Sequence, residues 1–278
     1  MNCETLYREL RERLASSSDD AAFEVDELLR YFCGVTRTQR ISGGVKIAPE
    51  DAKRAVAAAC RRAEGVPLQY LLGEWDFYGR TFCVGEGVLI PRADTETLVE
   101  AALTFASGHG GKLRIADLCS GSGCIAVTLA KELNGAEVWA VEKSPKALAY
   151  LRKNNELHGT GLHIVCDDVL EPVVKYPEFD LIVSNPPYLT GEEMRSLQTE
   201  VTHEPSMALY GEEDGLAFYR GITERWTSRL RPGGMLAYEI GMGQERAVEE
   251  QLKNKCLQNI CFHRDLCGII RVVTGITQ

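Results

Sequence analysis

The sequence predicts an α/β protein: a mostly parallel, doubly wound sheet of seven strands ending in an antiparallel C-terminal hairpin, with a small α-helical bundle ahead of it. Three observations carry that expectation. Apolar residues in positions 1–73 recur at helical spacing, five short apolar runs between residues 113 and 240 mostly alternate with helical segments, and two β-rich runs close the chain.

In the N-terminal part Leu6, Leu10 and Leu14 fall four apart, and Val25, Leu28, Leu29 and Phe32 keep the i, i+3, i+4, i+7 rhythm of an amphipathic helix. Pro49 opens a third helix, which Gly65 can close before Pro67 blocks continuation. From Trp75 to Ile90 aromatic and β-branched residues alternate between glycines, which predicts a hairpin. A helix capped by Asp94 or Thr95 follows. The strand candidates are residues 113–119, 136–142, 162–167, 179–185 and 235–240, and NICFHRD and GIIRVVTG, two residues apart, predict the edge hairpin. The expected division is therefore a helical domain at 1–73, a hairpin linker at 74–93 and a sheet domain at 94–278.

The chain has 278 residues with a formal net charge of −9, which disfavours a protein that grips a nucleic-acid backbone by bulk charge. No window approaches the ~20 apolar residues of a membrane helix. The start MNCETLYREL lacks the basic region and apolar core of a signal peptide, so a cytoplasmic protein without a membrane partner is expected. Ten cysteines are scattered without a CxxC pair and are expected to be mostly reduced core thiols. Cys256, Cys261, His263 and Cys267 match no common zinc spacing, so no metal is expected there.

In a doubly wound sheet, ligands bind beyond the carboxyl ends of the strands, so the residues just after each strand matter most. After the first comes DLCSGSG, where Gly121 and Gly123 let the backbone approach a ligand while a helix starting near Cys124 points its amino end at it. Glu142 ends the second strand and can accept ribose hydroxyl protons. Asp168 follows the third, within reach of an adenine amine. Gly121, Gly123 and Ala126 also satisfy a dinucleotide pattern, with Glu142 at about the expected distance.

The discriminator lies after the fourth strand, in NPPY, residues 185–188. Pro186 and Pro187 lock φ and remove their own N–H groups, so the turn can present carbonyl oxygens without competing donors. One main-chain carbonyl and the Asn185 side-chain oxygen can accept both hydrogens of a planar –NH₂ group on which the Tyr188 ring stacks. Such a pair of acceptors stabilises positive charge growing on an otherwise poor nucleophile. A nicotinamide enzyme has no use for this turn.

These motifs, together with GVPLQYLLGEWDFYG, VLIPRADTE and HEPSMALYGEEDGLAFYR in that order, make the chain similar to the release-factor glutamine methyltransferases, the PrmC/HemK family. NPPY alone is shared with amino methyltransferases acting on adenine or cytosine. The resemblance covers nearly the whole chain and implies a class I, Rossmann-like S-adenosylmethionine-dependent methyltransferase. The implied reaction is N5-methylation of the glutamine in the Gly-Gly-Gln loop of peptide chain release factors, with no direct nucleic-acid requirement.

By the same resemblance Asp117, Cys119, Ser120, Gly121, Ser122, Gly123, Glu142, Asp168 and Val169 hold the cofactor, with Asn185 at the boundary. Asn185, Pro186, Pro187 and Tyr188 hold the glutamine, and Asn185, Pro186 and Tyr188 carry the catalysis. The family usually has Gly where Cys119 and Glu212 stand, Pro where Ala93 stands, and often an aromatic at Val169. Cys119 is expected to crowd the methionine part of the cofactor if its backbone needs positive φ.

Arg92 and Glu96 read either as substrate contacts or as a salt bridge anchoring the linker, and HEPSMALYGEEDG as a loop bordering the site. A nucleic-acid amino methyltransferase and a non-catalytic cofactor-binding adaptor are the alternatives that the residues leave open.

Overall fold

The computed structural model describes all residues from Met1 to Gln278. The chain divides into two units, one made of Met1–Glu74 with Gln198–His203 and the other of Trp75–Leu197 with Glu204–Gln278.

The first unit is helical: α1 (Cys3–Leu14), α2 (Ala21–Cys33), α3 (Arg37–Ser42), α4 (Pro49–Ala63) and α5 (Leu68–Leu72). The fourfold leucine spacing is realised in α1, which buries Leu6, Leu10 and Leu14, and α2 buries Val25, Leu28 and Leu29. Asp20 caps α2 by accepting from the Phe23 N–H at 3.1 Å. The helix opened by Pro49 is the fourth, not the third. The missed α3 is too short to show a periodicity and is announced only by a capping box between Thr36 and Gln39.

α4 buries Ala52, Ala55, Ala58 and Ala59, and in line with them Arg62, only 2% exposed. Arg62 Nε and Nη2 donate to Glu24 at 2.8 and 2.9 Å, and the guanidinium also pairs with Glu200. A buried cation is tolerated because carboxylates meet it on two sides.

The second unit begins with a hairpin of β1 (Glu74–Phe77) and β2 (Arg80–Cys83). It turns at Tyr78 and Gly79, both at positive φ as a type I′ turn requires. The predicted hairpin ran on to Ile90, but residues 84–92 form no strand.

There follow α6 (Glu96–Ser107), β3 (Arg114–Leu118), α7 (Cys124–Glu132), β4 (Glu137–Glu142), α8 (Pro145–His158), β5 (His163–Cys166), β6 (Phe179–Ser184), α9 (Gly191–Arg195), α10 (Ser206–Leu209), α11 (Ala217–Trp226), β7 (Leu230–Glu239), α12 (Glu245–Asn254), β8 (Gln258–Arg264) and β9 (Ile270–Ile276). The expected sheet is present: its order is β5-β4-β3-β6-β7-β9-β8, parallel except where β9 runs against β7 and β8.

Side chains alternate across it. Ile115, Val138, Ala140, Leu181, Val183 and Ala237 pack with α6, α7 and α8 on one face; Ala116, Val141, Ile182, Leu236 and Tyr238 pack with Tyr219, Ile222, Trp226, Val248 and Leu252 of α11 and α12 on the other.

Four expectations need correction. Thr95 holds the N-cap position of α6, but neither it nor Asp94 makes a side-chain cap, because residues 93–95 form a 3₁₀ turn, Thr95 meets Asn185 and Asp94 pairs with Arg271. β7 starts at Leu230, five residues before its candidate, since the Pro232–Gly234 run lies in an irregular stretch where pairing with β6 shifts. The final hairpin turns over residues 265–269, held by Asp265 Oδ1 accepting from the Cys267 and Ile269 N–H groups at 2.9 Å. Finally, all ten cysteines are free but only Cys3 and Cys124 are buried; Cys166, Cys256, Cys261 and Cys267 are exposed, three of them in or beside the edge strand β8.

Glu24→Ala should lower the stability of the full chain by about 3 kcal/mol, because it strips Arg62 of its bidentate partner and leaves a buried guanidinium with Glu200 alone. Urea denaturation followed by circular dichroism measures it; an unchanged midpoint would show that Arg62 is solvated in solution.

Candidate active site

A cavity of about 680 Å³ opens beyond the carboxyl ends of β3, β4, β5 and β6, within the usual size of a small-ligand site. Its wall is built from loops: Cys119–Ser122 after β3, Glu142–Ser144 at the end of β4, Asp167–Leu170 after β5, and Asn185 with Pro187 after β6. Gly87–Arg92 and Thr95 close one side, and Met194, Arg195, Pro205–Ala208 and Tyr210 another.

Glu142 joins the first two loops. Its Oε2 accepts from the Gly121 N–H at 2.8 Å and its Oε1 from the Ser144 N–H at 2.6 Å, with only 8% of the residue exposed. Each oxygen keeps a lone pair for a further donor, such as a ribose hydroxyl. Gly121 lines the cavity at φ 54°, and a Cβ built there meets nothing within 4 Å, so the absent side chain leaves open space against the main chain. Gly123 is required for another reason: it caps α7 at φ 81°, and a Cβ would stand 2.2 Å from Leu151 Cδ1.

Asp117 does not reach the cavity. It is fully buried under the loop, where its Oδ2 accepts from the Ala126 N–H at 3.1 Å and its Oδ1 has no partner. Burial pushes its acid up to about 8 against the pull of Ser120 and the Ala126 N–H. The Ser120 hydroxyl donates to the Asp117 main-chain carbonyl at 2.7 Å, tying the loop to the strand it leaves.

After β5 two adjacent acids divide the work. Asp167 Oδ2 accepts from the Val173 and Val174 N–H groups and the Tyr176 hydroxyl, folding its own loop. Asp168 faces the cavity, accepting from the Leu170 N–H at 2.9 Å and the Lys143 ammonium at 2.6 Å. Burial opposes its charge, but those donors outweigh it and hold the carboxyl below its ordinary value. Val169 is buried against the sheet, and its carbonyl accepts from Trp226 Nε1 at 2.8 Å.

At the NPPY turn the Asn185 Nδ2 donates to Thr95 Oγ1 at 3.2 Å, which leaves Oδ1 as the acceptor end of the amide. Pro187 shares the cavity wall; Pro186 and Tyr188 do not line it. The Tyr188 carbonyl accepts from Gln244 Nε2 at 3.0 Å, and its ring lies against Gly241, where a Cβ would stand 3.1 Å from Tyr188 Cδ2. The turn then runs into a parallel bridge between Leu189 and Tyr210. Arg92 pairs with the buried Glu204, which also accepts from the Ile90 N–H at 3.0 Å, whereas Glu96 accepts from the Tyr78 N–H at 2.8 Å. The two ends of the IPRADTE motif therefore do not pair with each other.

Two domain models match the chain, a methyltransferase small domain over residues 95–210 and a PrmC N-terminal domain over 5–73. A release factor glutamine methyltransferase of Geobacter sulfurreducens is 40% identical over 92% of this chain and 90% of its own length. The chain belongs to the release factor glutamine methyltransferase family. A second member, from Gloeobacter violaceus, is 38% identical over 96% of this chain and 94% of its own. Among solved structures, the catalytic domain of hMettl16 bound to a 3′UTR hairpin superposes with a TM-score of 0.55 over 84% of this chain and 85% of that one, at 18% identity, a likeness of fold alone.

Of the residues singled out from the sequence, Cys119, Ser120, Gly121, Ser122, Glu142, Asp168, Val169, Asn185 and Pro187 meet around one cavity, while Asp117, Gly123, Pro186 and Tyr188 stand behind its wall. Sequence reasoning missed Thr95 and Lys143 in that wall, and Glu239 behind it, 2% exposed at the end of β7. Its one signal is an acid ending an apolar run, MLAYEI, as Glu142 ends another. No group of three or more His, Cys, Asp or Glu side chains is placed to hold a metal ion, and no helix is long and apolar enough to cross a membrane.

Both positions where the family usually carries glycine have left-handed backbone here, Cys119 at φ 62° and Glu212 at φ 68°. A side chain there costs about 1–2 kcal/mol, partly offset by the lower chain entropy of a non-glycine residue in the unfolded state. Glu212→Gly, at an exposed site, should therefore raise stability by about 0.5–1 kcal/mol. Cys119→Gly should gain less, because it also gives up the packing of the half-buried thiol against the core. Thermal unfolding of both variants is the check, and a less stable Glu212→Gly would show that its loop departs from this conformation.

Proposed function

We propose that this chain transfers a methyl group from S-adenosylmethionine to the side-chain nitrogen of the glutamine in the Gly-Gly-Gln motif of peptide chain release factors. The observation that carries the proposal is the Asn185 amide at the cavity wall, its nitrogen tied inward to Thr95 and its oxygen left to accept. Membership of a family whose curated relatives bear that activity in their names supports it.

The residues fit the cofactor. Open space over Gly121 admits the methionine part beside Cys119 and the amino end of α7. Glu142 has lone pairs for two ribose hydroxyls, and Asp168 and Val169 border the adenine end. When bound, S-adenosylmethionine supplies an electrophilic sulfonium methyl, whose carbon leaves sulfur as it bonds to nitrogen.

The protein prepares the nitrogen. Asn185 Oδ1 and a main-chain carbonyl of the proline turn accept its two hydrogens, drawing the lone pair out of conjugation and aligning it with the methyl. Positive charge growing on nitrogen meets those two oxygens, and one proton then passes to water. No strong general base is needed. The Tyr188 ring, packed behind the wall against Gly241, backs the turn that holds the planar amide. The helical unit, residues 1–73, is assigned to recognition of the release factor, residues 74–93 to linkage and residues 94–278 to catalysis.

Incubating the protein with radiolabelled S-adenosylmethionine and either a release factor or nucleic acid tests the reading: label in the release factor is expected, label only in nucleic acid makes it a nucleic-acid amino methyltransferase, and label in neither makes it an adaptor. Glu142→Ala should weaken cofactor binding by about 1–3 kcal/mol, since it removes a charge-assisted acceptor. An unchanged dissociation constant in calorimetry would exclude Glu142 as the ribose ligand.

Asn185→Ala should lower kcat on the release factor by about 10²-fold or more with the fold intact. Tyr188→Phe should cost at most about tenfold, and Tyr188→Ala more, because only the latter loses the ring. Near-normal turnover by Asn185→Ala would mean that the proline turn is structural.

A further inference from the structure

Glu239 ends β7, the strand beside β6, one residue beyond the Ser184–Tyr238 pair and so level with Asn185. It is 2% exposed. Thr95 and Asn185 stand beside its carboxylate and both favour its charged form, and Asn185 Nδ2 donates to Thr95 Oγ1 at 3.2 Å, so the three side chains form one cluster behind the proline turn. Its Oε2 has no partner. A buried acid with an unsatisfied oxygen is costly, and groups kept at such a cost concentrate where chemistry needs them.

The chemistry here needs one end of an amide. Asn185 can meet a substrate –NH₂ only with its oxygen, because its own –NH₂ would bring donor against donor. An ionised carboxylate accepts and cannot donate, so it admits only the Nδ2 end of Asn185. A protonated one can donate to Oδ1, which allows the amide to turn over and present nitrogen to the cavity.

Resting on the methyl transfer proposed above, we infer that Glu239 is a positioning residue whose ionised carboxylate, with Thr95, holds the Asn185 oxygen toward the substrate nitrogen. Its surroundings set when the lock is engaged. Burial pushes its acid up to about 7; Asp94 pushes the same way, and Thr95, Arg271 and Asn185 pull it down. Tyr188, Tyr219 and Cys124 also face it, and burial raises all three, so they remain neutral.

Two opposite pH trends follow. Turnover rises as pH rises through about 7, because the carboxylate then engages the amide. Stability runs the other way: a carboxyl whose folded pKa lies above its ordinary value stabilises fully below the ordinary range, and that contribution is lost as pH rises through about 7. A residue with only a structural role would show the second trend without the first. Asp117, raised to about 8, adds its own loss of stability at higher pH.

The test compares full-length wild type with Glu239→Gln, measuring kcat on a release factor, cofactor affinity and thermal stability from about pH 5.5 to 9. Wild-type turnover should rise through about pH 7. The variant should lose that limb, fall about 10- to 100-fold in kcat at alkaline pH, keep its cofactor dissociation constant, and show a flatter stability profile between acid and neutral pH. Wild-type kcat and pH dependence in Glu239→Gln would overturn the assignment.

If the variant does not fold, Thr95→Val removes the hydroxyl shared by both partners; it should lower kcat without changing cofactor affinity, and unchanged turnover would equally overturn the role. Wild type that leaves the release factor unlabelled at every pH removes the activity and the Glu239 role together, whereas an active wild type beside an unaltered variant removes the role alone.

Discussion

The sheet reverses its winding between β3 and β6, and the site depends on that reversal. β4 and β5 follow β3 outward on one side, while β6 and β7 continue on the other. The loops leaving β3 and β6 are therefore carried apart, and a crevice must remain between them. Everything placed in the cavity wall comes from the ends of strands that flank this point or from segments that close over it. The crevice would be loose without Glu142, whose two oxygens hold main-chain N–H groups of both neighbouring loops. A residue suited to bind a ligand is thus also the stitch that shapes the place where the ligand sits.

Among the carboxylates at this end of the sheet, the environments of three keep them distinct. Asp168 is kept ionised by Lys143 and a main-chain N–H, whereas Asp117 and Glu239, sealed from water, are pushed toward neutrality. One kind of side chain so serves as an anionic acceptor at the cavity, as a buried tie for the first turn of α7, and as a backstop for an amide. The division follows from depth rather than residue type, since all three lie at or just after strand ends.

That division also marks how far the sequence can be read. Short apolar runs between helical segments disclosed the strands, and the spacing of glycines and acids after them disclosed most of the cavity wall, because those signals are local. The Arg92–Glu204 pair spans 112 positions and links residues that no periodicity connects. Asp117 stood among the cofactor residues only through the family resemblance, and burial shows that it faces away from the cavity. The start of β7 was hidden by Pro232, Gly233 and Gly234, residue types that rarely continue a strand but here sit in an irregular stretch of one. The exposed cysteines of the edge hairpin were misjudged because an edge strand presents solvent-facing positions that composition alone assigns to a core.

Residues 198–203 group with the helical unit although they lie in sequence between Leu197 and Glu204 of the other, and Glu200 supplies the second carboxylate of the buried Arg62. The chain therefore passes between its units three times, not once. A fold with a single crossover can be recombined at that point as a cassette, with either half exchanged for a foreign one. Here any exchange of the first 74 residues leaves behind a strap fitted to the departed partner, and any graft must bring a guanidinium to meet it. The two halves are thereby bound to a common evolutionary history: change on α4 is constrained by six residues more than a hundred positions away.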